Sequence, residues 1–182
     1  VTLLTDRLDL IPATPETTRA AIADVSALGR ALDARVPPSW PPELLDRPAL
    51  KFTLDKLRHG PTQATWWLYF VVLRSDSDGR VLIGSAGYKG LPADDGTVEV
   101  GYGILPEYQR RGYASEAVRA LVARAFAVPA VRRVIAETLP ELTPSIGVMT
   151  KCGFAYVEER SEPGVIRYEL RRAGYDALVA RD

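Results

Sequence analysis

The stretch Glu99-Val100-Gly101-Tyr102-Gly103-Ile104-Leu105-Pro106-Glu107-Tyr108-Gln109-Arg110-Arg111-Gly112-Tyr113-Ala114 decides how this chain is read. Its first part has strand character from about Thr97, and Pro106 ends it because proline has no N–H to give a ladder. After Gly112 the period changes. Ala114, Ala117, Val118, Leu121, Val122 and Ala125 fall on one helical face that stops before Pro129. A strand therefore becomes a helix across a short basic loop, which is how an anion cradle is built. Amides at a helix N-terminus lack intrahelical partners, and the helix dipole favours negative charge there by about 0.3–1 kcal/mol. Gly112 permits a positive φ, while Arg110 and Arg111 can each add a charge-assisted bond of about 1.5–3 kcal/mol. A diphosphate suits such a loop.

Outward from this segment the chain reads as alternating helices and strands. Leu4, Leu8 and Leu10 on even positions predict an opening strand, and Thr14-Pro15-Glu16 predicts a helix start with the stripe Ala21, Val25, Leu28 and Leu32. Four prolines surround Trp40 within residues 36–42 and predict an extended loop, followed by a helix from about Pro48 that stops at Gly60-Pro61. Residues 66–73 and 81–88 predict a hairpin around the turn 75–79, and Asp94-Asp95-Gly96 marks the next turn. Beyond the central helix, residues 131–138 predict a strand. Thr143-Pro144 predicts the cap of a short helix carrying Ile146, Met149 and Cys152, and two strands close the chain near 154–159 and 165–170. The expectation is an α/β (α+β) chain, a single domain over residues 1–182, built on one mixed and mostly antiparallel sheet flanked by helices.

Composition limits the function. Lys plus Arg and Asp plus Glu both number 23, with the signs interspersed, so there is no basic field for nucleic acid and any phosphate site is local. The lone Cys152 cannot form an internal disulfide, and the apolar run 66–73 is too short to cross a bilayer as a helix. A cytoplasmic protein that binds neither membrane nor nucleic acid is expected.

Gln109-Arg110-Arg111-Gly112-Tyr113-Ala114 resembles the Gln/Arg-x-x-Gly-x-Gly/Ala loop of the GNAT acetyltransferases. Its setting strengthens the likeness: Glu99-Val100-Gly101-Tyr102 precedes it, Glu116-Ala117 follows, and Ser145 and Lys151-Cys152-Gly153-Phe154 come one strand later. Leu4-Thr5-Asp6-Arg7-Leu8 is similar to the opening of the RimJ/RimL-like branch, the ribosomal-protein N-terminal acetyltransferase-like enzymes, so the resemblance runs over residues 4–170. It implies an acetyl-CoA-dependent N-acetyltransferase with no metal, in which the amides of residues 110–114, with Gln109 leading in, hold the pyrophosphate. The pantetheine then pairs with Tyr102, Gly103, Ile104 and Leu105, in a slot between splayed strands bearing Ile104 and Thr138. The implied acceptor is an amine, either a protein N-terminal α-amine or a small molecule, and family analogy allows a homodimer.

Direct transfer needs a neutral amine, a polarised thioester and a fate for the thiolate. Glu99 and Glu137 are the candidates for base, each against the alternative of a structural carboxylate. Two positions depart from the family: Met149 stands where many members carry a proton-donating tyrosine, and Leu142 replaces the asparagine of an Asn-x-x-Ser pattern whose serine is Ser145. Ser145 is a candidate hydrogen bond to the CoA sulphur or to the pantetheine, or else a helix cap. Trp40 either lines the acceptor pocket or pins its loop to the core, while Cys152 reads as packing and His59 as a helix-end residue. These departures also leave open a CoA-binding sensor or assembly protein that does not turn over.

Overall fold

The computed structural model describes residues 1–75, 77 and 79–181. Eight strands form one sheet in the order β1-β2-β3-β4-β5-β6-β8-β7. They are β1 Leu3–Leu4, β2 Leu8–Pro12, β3 Leu68–Ser75, β4 Gly79–Tyr88, β5 Thr97–Ile104, β6 Arg133–Thr138, β7 Ala155–Val157 and β8 Ile166–Arg171. Every pairing is antiparallel except β5 with β6, which run parallel. The helices are α1 Pro15–Ala23, α2 Val25–Leu32, α3 Arg47–His59, α4 Tyr113–Phe126, α5 Thr143–Lys151 and α6 Arg172–Val179.

Both faces of the sheet centre are covered, so β3 is buried almost throughout. Tyr69 and Val71 face one core with Val118, Leu121 and Val122 of α4, whereas Phe70 and Val72 face a second core with Leu28, Leu32, Leu50 and Leu57 of α2 and α3. That is the alternation of a central strand. In β4 the alternation switches. Val71 pairs with Gly84 and Val72 with Leu82, leaving Ile83 as an extra bulged residue, so the α4 side receives Val81 and Ile83 before the bulge but Ala86 and Tyr88 after it.

Several sequence expectations need correction. The opening strand is two short strands, and Leu4 on the first is 72% exposed. The first helix is two helices: Asp24 leaves helical geometry and its carboxylate caps α2 by accepting from Ala27 N, a competition with the helix that aspartate commonly wins. Val25, expected in the apolar stripe, is consequently exposed. Trp66 closes a 3-10 turn, Pro61–Trp66, and Trp67 follows it, so neither belongs to a strand and both are half-buried. Asp76 and Asp78 of the expected hairpin turn lie outside the described residues. The sequence reading gave no sign of α6. The structure bears out the hairpin, the strand before the basic loop and the helix after it.

Leu121 lies at the centre of the α4 face, fully buried, and its carbonyl accepts from the Tyr88 hydroxyl at 2.7 Å. Leu121→Ala is expected to lower unfolding free energy by about 2–5 kcal/mol, with little change in urea m-value, because the cavity lies between helix and sheet. A loss below about 1 kcal/mol in urea titration would mean that α4 is not seated as described.

Candidate active site

β5 and β6 are paired only at their starts, through Thr97 with Arg133, Val98 with Val134 and Glu99 with Ile135. Beyond that point β5 stays with β4 as far as Ile104, while β6 stays with β8 as far as Thr138. The strands therefore part as expected, and the second half of β5 presents backbone groups to the gap. Ile104 and Leu105 bury their side chains in or beside the core, so they offer the gap main chain only.

The loop leaving β5 leaves its main-chain donors open. Among the described residues, the amides of residues 110–115 donate to no backbone acceptor, and α4 has no side chain capping its N-terminus. Arg110 has φ 62° and Gly112 φ 83°, so the chain turns through left-handed geometry twice in three residues. For arginine this conformation is strained, a feature that concentrates at ligand sites. Arg110 and Arg111 are exposed, and among the described residues neither pairs with a carboxylate. The Gln109 side chain is otherwise engaged: its amide donates to Ile104 O at 2.8 Å and braces the end of β5. Beside Gly112 opens a cleft of about 720 Å³ whose lining includes Arg7, Ser115, Arg119 and Lys151.

A staple holds this loop from behind. Glu116 in the first turn of α4 accepts from the Thr5 hydroxyl at 2.6 Å, from Arg7 N at 2.9 Å and from Arg7 Nε at 2.7 Å. Burial would raise the Glu116 carboxyl, but these bonds outweigh it and hold it below the usual range. Arg7 also donates to Arg111 O at 3.1 Å and lies over the Tyr113 ring at 4.6 Å. A Cβ added to Gly112 would meet this guanidinium at 3.4 Å. Thr5-Asp6-Arg7 was visible in the sequence only as part of a family likeness, without its partner Glu116.

The two glutamates lie on one face of the sheet. Val98, Val100, Tyr102 and Ile104 of β5, with Val134 and Ala136 of β6, face α4, so Glu99 and Glu137 face the other way. Their surroundings differ. Glu137 is nearly buried and fully engaged, accepting from Ser161 N at 2.8 Å, from the Ser161 hydroxyl and from Arg167 Nε at 2.8 Å. Burial pushes the Glu137 carboxyl up, and the Ser161 and Arg167 contacts override it, leaving it below the usual range. Glu99 is partly exposed and pairs with the Lys89 ammonium, itself 61% exposed.

Ser145 is the third residue of α5, and it does not cap the helix. Leu142 occupies the cap position with no side-chain bond, while Thr143 and Pro144 are the first two helical residues rather than the expected cap. The Ser145 hydroxyl instead meets the Tyr102 hydroxyl at 3.0 Å, and Tyr102 Oη also reaches Ser145 O at 3.0 Å. This bridge across the gap was not legible in the sequence. Met149 is core at 1% exposure, and the Cys152 thiol, pushed up by burial, donates to Ser115 O at 3.4 Å, so both read as packing.

Trp40 does not wall the gap: its ring is buried against Phe70 at a centroid distance of 5.9 Å, on the α2 and α3 side. Its loop nevertheless reaches the site. A Cβ on Gly103 would lie 3.2 Å from Pro42 Cβ, Ser39 donates a short bond of 2.5 Å to Glu107, and Arg35 reaches the Tyr108 hydroxyl at 3.4 Å. The proline loop is thus tied to the segment that carries the cradle. Among the described residues, no group of three or more His, Cys, Asp or Glu side chains is placed to hold a metal ion, and no helix is long and apolar enough to cross a membrane.

Known proteins resemble this chain in sequence or in fold. YoaA of Bacillus subtilis (strain 168), named as an uncharacterized N-acetyltransferase, is 31% identical over 104 residues, covering 56% of this chain and 55% of that protein. The chain spans about half the length of that relative, and less of the others it matches. Among solved structures, the ribosomal-protein-S5-alanine acetyltransferase from Vibrio fischeri gives a TM-score of 0.63 at 18% identity, over 94% of this chain and 96% of that one. RimL, a ribosomal alpha-N-protein acetyltransferase in complex with coenzyme A, gives 0.63 at 14% identity, over 94% and 98%. At these identities the likeness is one of fold. Residues 7–155, which hold Arg7 and Glu116 of the staple, the parted strands, the basic loop and α5, match the family described as Acetyltransferase (GNAT) domain, and the chain belongs to that family.

Proposed function

We propose that this chain is an acetyl-CoA-dependent N-acetyltransferase that transfers acetyl directly to a primary amine within a ternary complex. The observation that carries this reading is the run of unpartnered amides over residues 110–115 at the mouth of the parted strands. In this reading those amides, with Arg110 and Arg111, hold the pyrophosphate, and Arg119 and Lys151 offer further positive charge in the adjoining cleft. The free edge of β5 at Tyr102, Gly103, Ile104 and Leu105 pairs with the pantetheine arm, which leads the thioester toward Ser145. Acetyl-CoA supplies the activated acyl group; the protein supplies alignment, worth about 7–11 kcal/mol when both reactants are held in line.

The amine approaches from the opposite face of the sheet, where Glu99 stands, and Pro42 of the proline loop walls that approach near Gly103. Glu99 takes the amine proton, directly or through water. Glu137 is the weaker candidate because its oxygens are already engaged, and we assign it the structural role. A protein N-terminal α-amine is the first acceptor class to test, since two fold neighbours are named for ribosomal proteins. Small-molecule amines are the second. A sensor that binds CoA without turnover is favoured by one observation, that Met149 and Leu142 stand where the family carries polar groups.

Calorimetry on the purified chain is expected to show CoA binding, weakened roughly fivefold to tenfold by Arg110→Ala or Arg111→Ala; exposure and screening keep each effect near the lower end for a charged hydrogen bond. No heat of binding with CoA would end the acetyltransferase reading. Thiol release across a panel of peptides and amines then separates enzyme from sensor, since tight binding without release for any acceptor favours the sensor.

Glu99→Gln is expected to slow turnover by about 10²-fold or more without raising KM for acetyl-CoA, whereas Glu137→Gln leaves kcat within about twofold. The Glu137 substitution is read in stability instead. Its folded carboxyl is held low, so its contribution is full above about pH 4.3 and fades as pH falls through the lower folded value. Urea unfolding should therefore separate wild type from Glu137→Gln at pH 7 and bring them together in acid. A gap independent of pH would contradict this assignment.

A further inference from the structure

The strand β5 faces α4 with alternate residues, and at Tyr102 that pattern meets the place where β6 has already departed. The phenol ring is half-buried over the α4-side core, and its hydroxyl spans the gap to the first turn of α5. There it finds both oxygens of one residue, Ser145 O and Ser145 Oγ, each at 3.0 Å. A phenol has one hydrogen to give. When that hydrogen goes to the Ser145 carbonyl, the Tyr102 oxygen can only accept, and the serine hydroxyl must either donate to it or turn its hydrogen elsewhere.

A serine hydroxyl rotates freely about its Cβ–O bond and can turn its hydrogen toward more than one acceptor. The contact with Tyr102 Oη restricts that rotor by holding Ser145 Oγ beside the phenol oxygen. Burial, offset in part by the Ser145 bond and reinforced by nearby Cys152, pushes the Tyr102 phenol up to about 12. The phenol therefore keeps its hydrogen throughout the working range and acts as a fixed donor.

Building on the acetyl-transfer reading, we infer that Tyr102 is a positioning residue that aims the Ser145 hydroxyl at the sulphur of coenzyme A, so that a hydrogen bond to the departing thiolate replaces the proton donor missing at Met149. In the transfer step the amine nitrogen forms a bond to the acyl carbon, the carbon–sulphur bond breaks, and its electron pair stays on sulphur. The amine proton goes to Glu99 or to water. The thiolate leaves while accepting the Ser145 hydrogen bond, and solvent protonates it after release. No group near Met149 has to surrender a proton.

The arrangement has a signature that needs no acceptor: a site that favours thiolate binds coenzyme A more tightly as pH rises, whereas desulfo-CoA, which lacks the thiol, gains nothing. The other titratable group beside the couple is Cys152, with Arg119 acting on it from α4, so the measurements are made in a Cys152→Ala background. Calorimetry from pH 6.5 to 9.5, with pH values chosen to bracket about 8.5 for a thiol, is expected to show the CoA to desulfo-CoA affinity ratio rising about tenfold. In Ser145→Ala and in Tyr102→Phe the ratio should stay flat while desulfo-CoA still binds, which also shows that the site is folded. Ser145→Thr, which keeps the hydroxyl, should recover most of the rise. A flat ratio in the parent protein, or a rise that persists in Tyr102→Phe, overturns the inference. Failure of both ligands to bind overturns the acetyl-transfer reading instead.

Discussion

The parting of β5 from β6 after Glu99 and Ile135 is the constraint on which the rest of the site depends. A continuous sheet would satisfy every strand edge internally and leave no main chain to offer a ligand. Here each strand keeps one partner, β4 for β5 and β8 for β6, so the sheet remains coherent although its middle opens. The opening is held by one residue pair across it and one on its far side. Tyr102 spans it through its two contacts with Ser145, while Arg167 ties Glu137 to β8 and so keeps β6 on the far side.

The same opening divides labour between the two faces of the sheet. On the α4 side lie the cradle, the cleft beside Gly112 and the Tyr102–Ser145 couple; on the other side lie Glu99, Glu137 and the proline loop. Strand alternation enforces this separation, because residues three apart on β5, Glu99 and Tyr102, must point to opposite faces. The proline loop is not independent of the cradle. Ser39 donates to Glu107 and Arg35 reaches Tyr108, both in the turn that feeds residues 109–112, so the proline loop and the basic loop share one segment of backbone.

What the sequence disclosed was local. The strand, basic loop and helix over residues 97–126 could be read because proline, glycine and a change of apolar period mark the boundaries within one short stretch. The glutamates could be named as base candidates, but what distinguishes their surroundings lies in Ser161, Arg167 and Lys89, partners that the fold supplies from other elements. Likewise Ile83 carries no composition signal for a bulge, and Asp24 looks like any polar helix residue until it proves to cap α2. For Trp40 two places were open in the sequence, the acceptor pocket or the core beneath its loop, and only the fold shows the ring buried against Phe70.

In the proposed transfer, having Met149 in place of a proton-donating tyrosine is tolerable on energetic grounds. One general acid is worth about 10²–10⁴-fold, less than alignment of two reactants supplies, and a thiolate is a far better leaving group than an amide nitrogen. The need at sulphur is therefore not a strong acid but a donor that is already in place when charge develops. A serine alone serves this poorly because its hydroxyl rotates. In the proposed arrangement a half-buried phenol with one hydrogen and two acceptors on the same residue removes that freedom without contributing a charge, and in this fold β5 can present it only at the point where β6 has left.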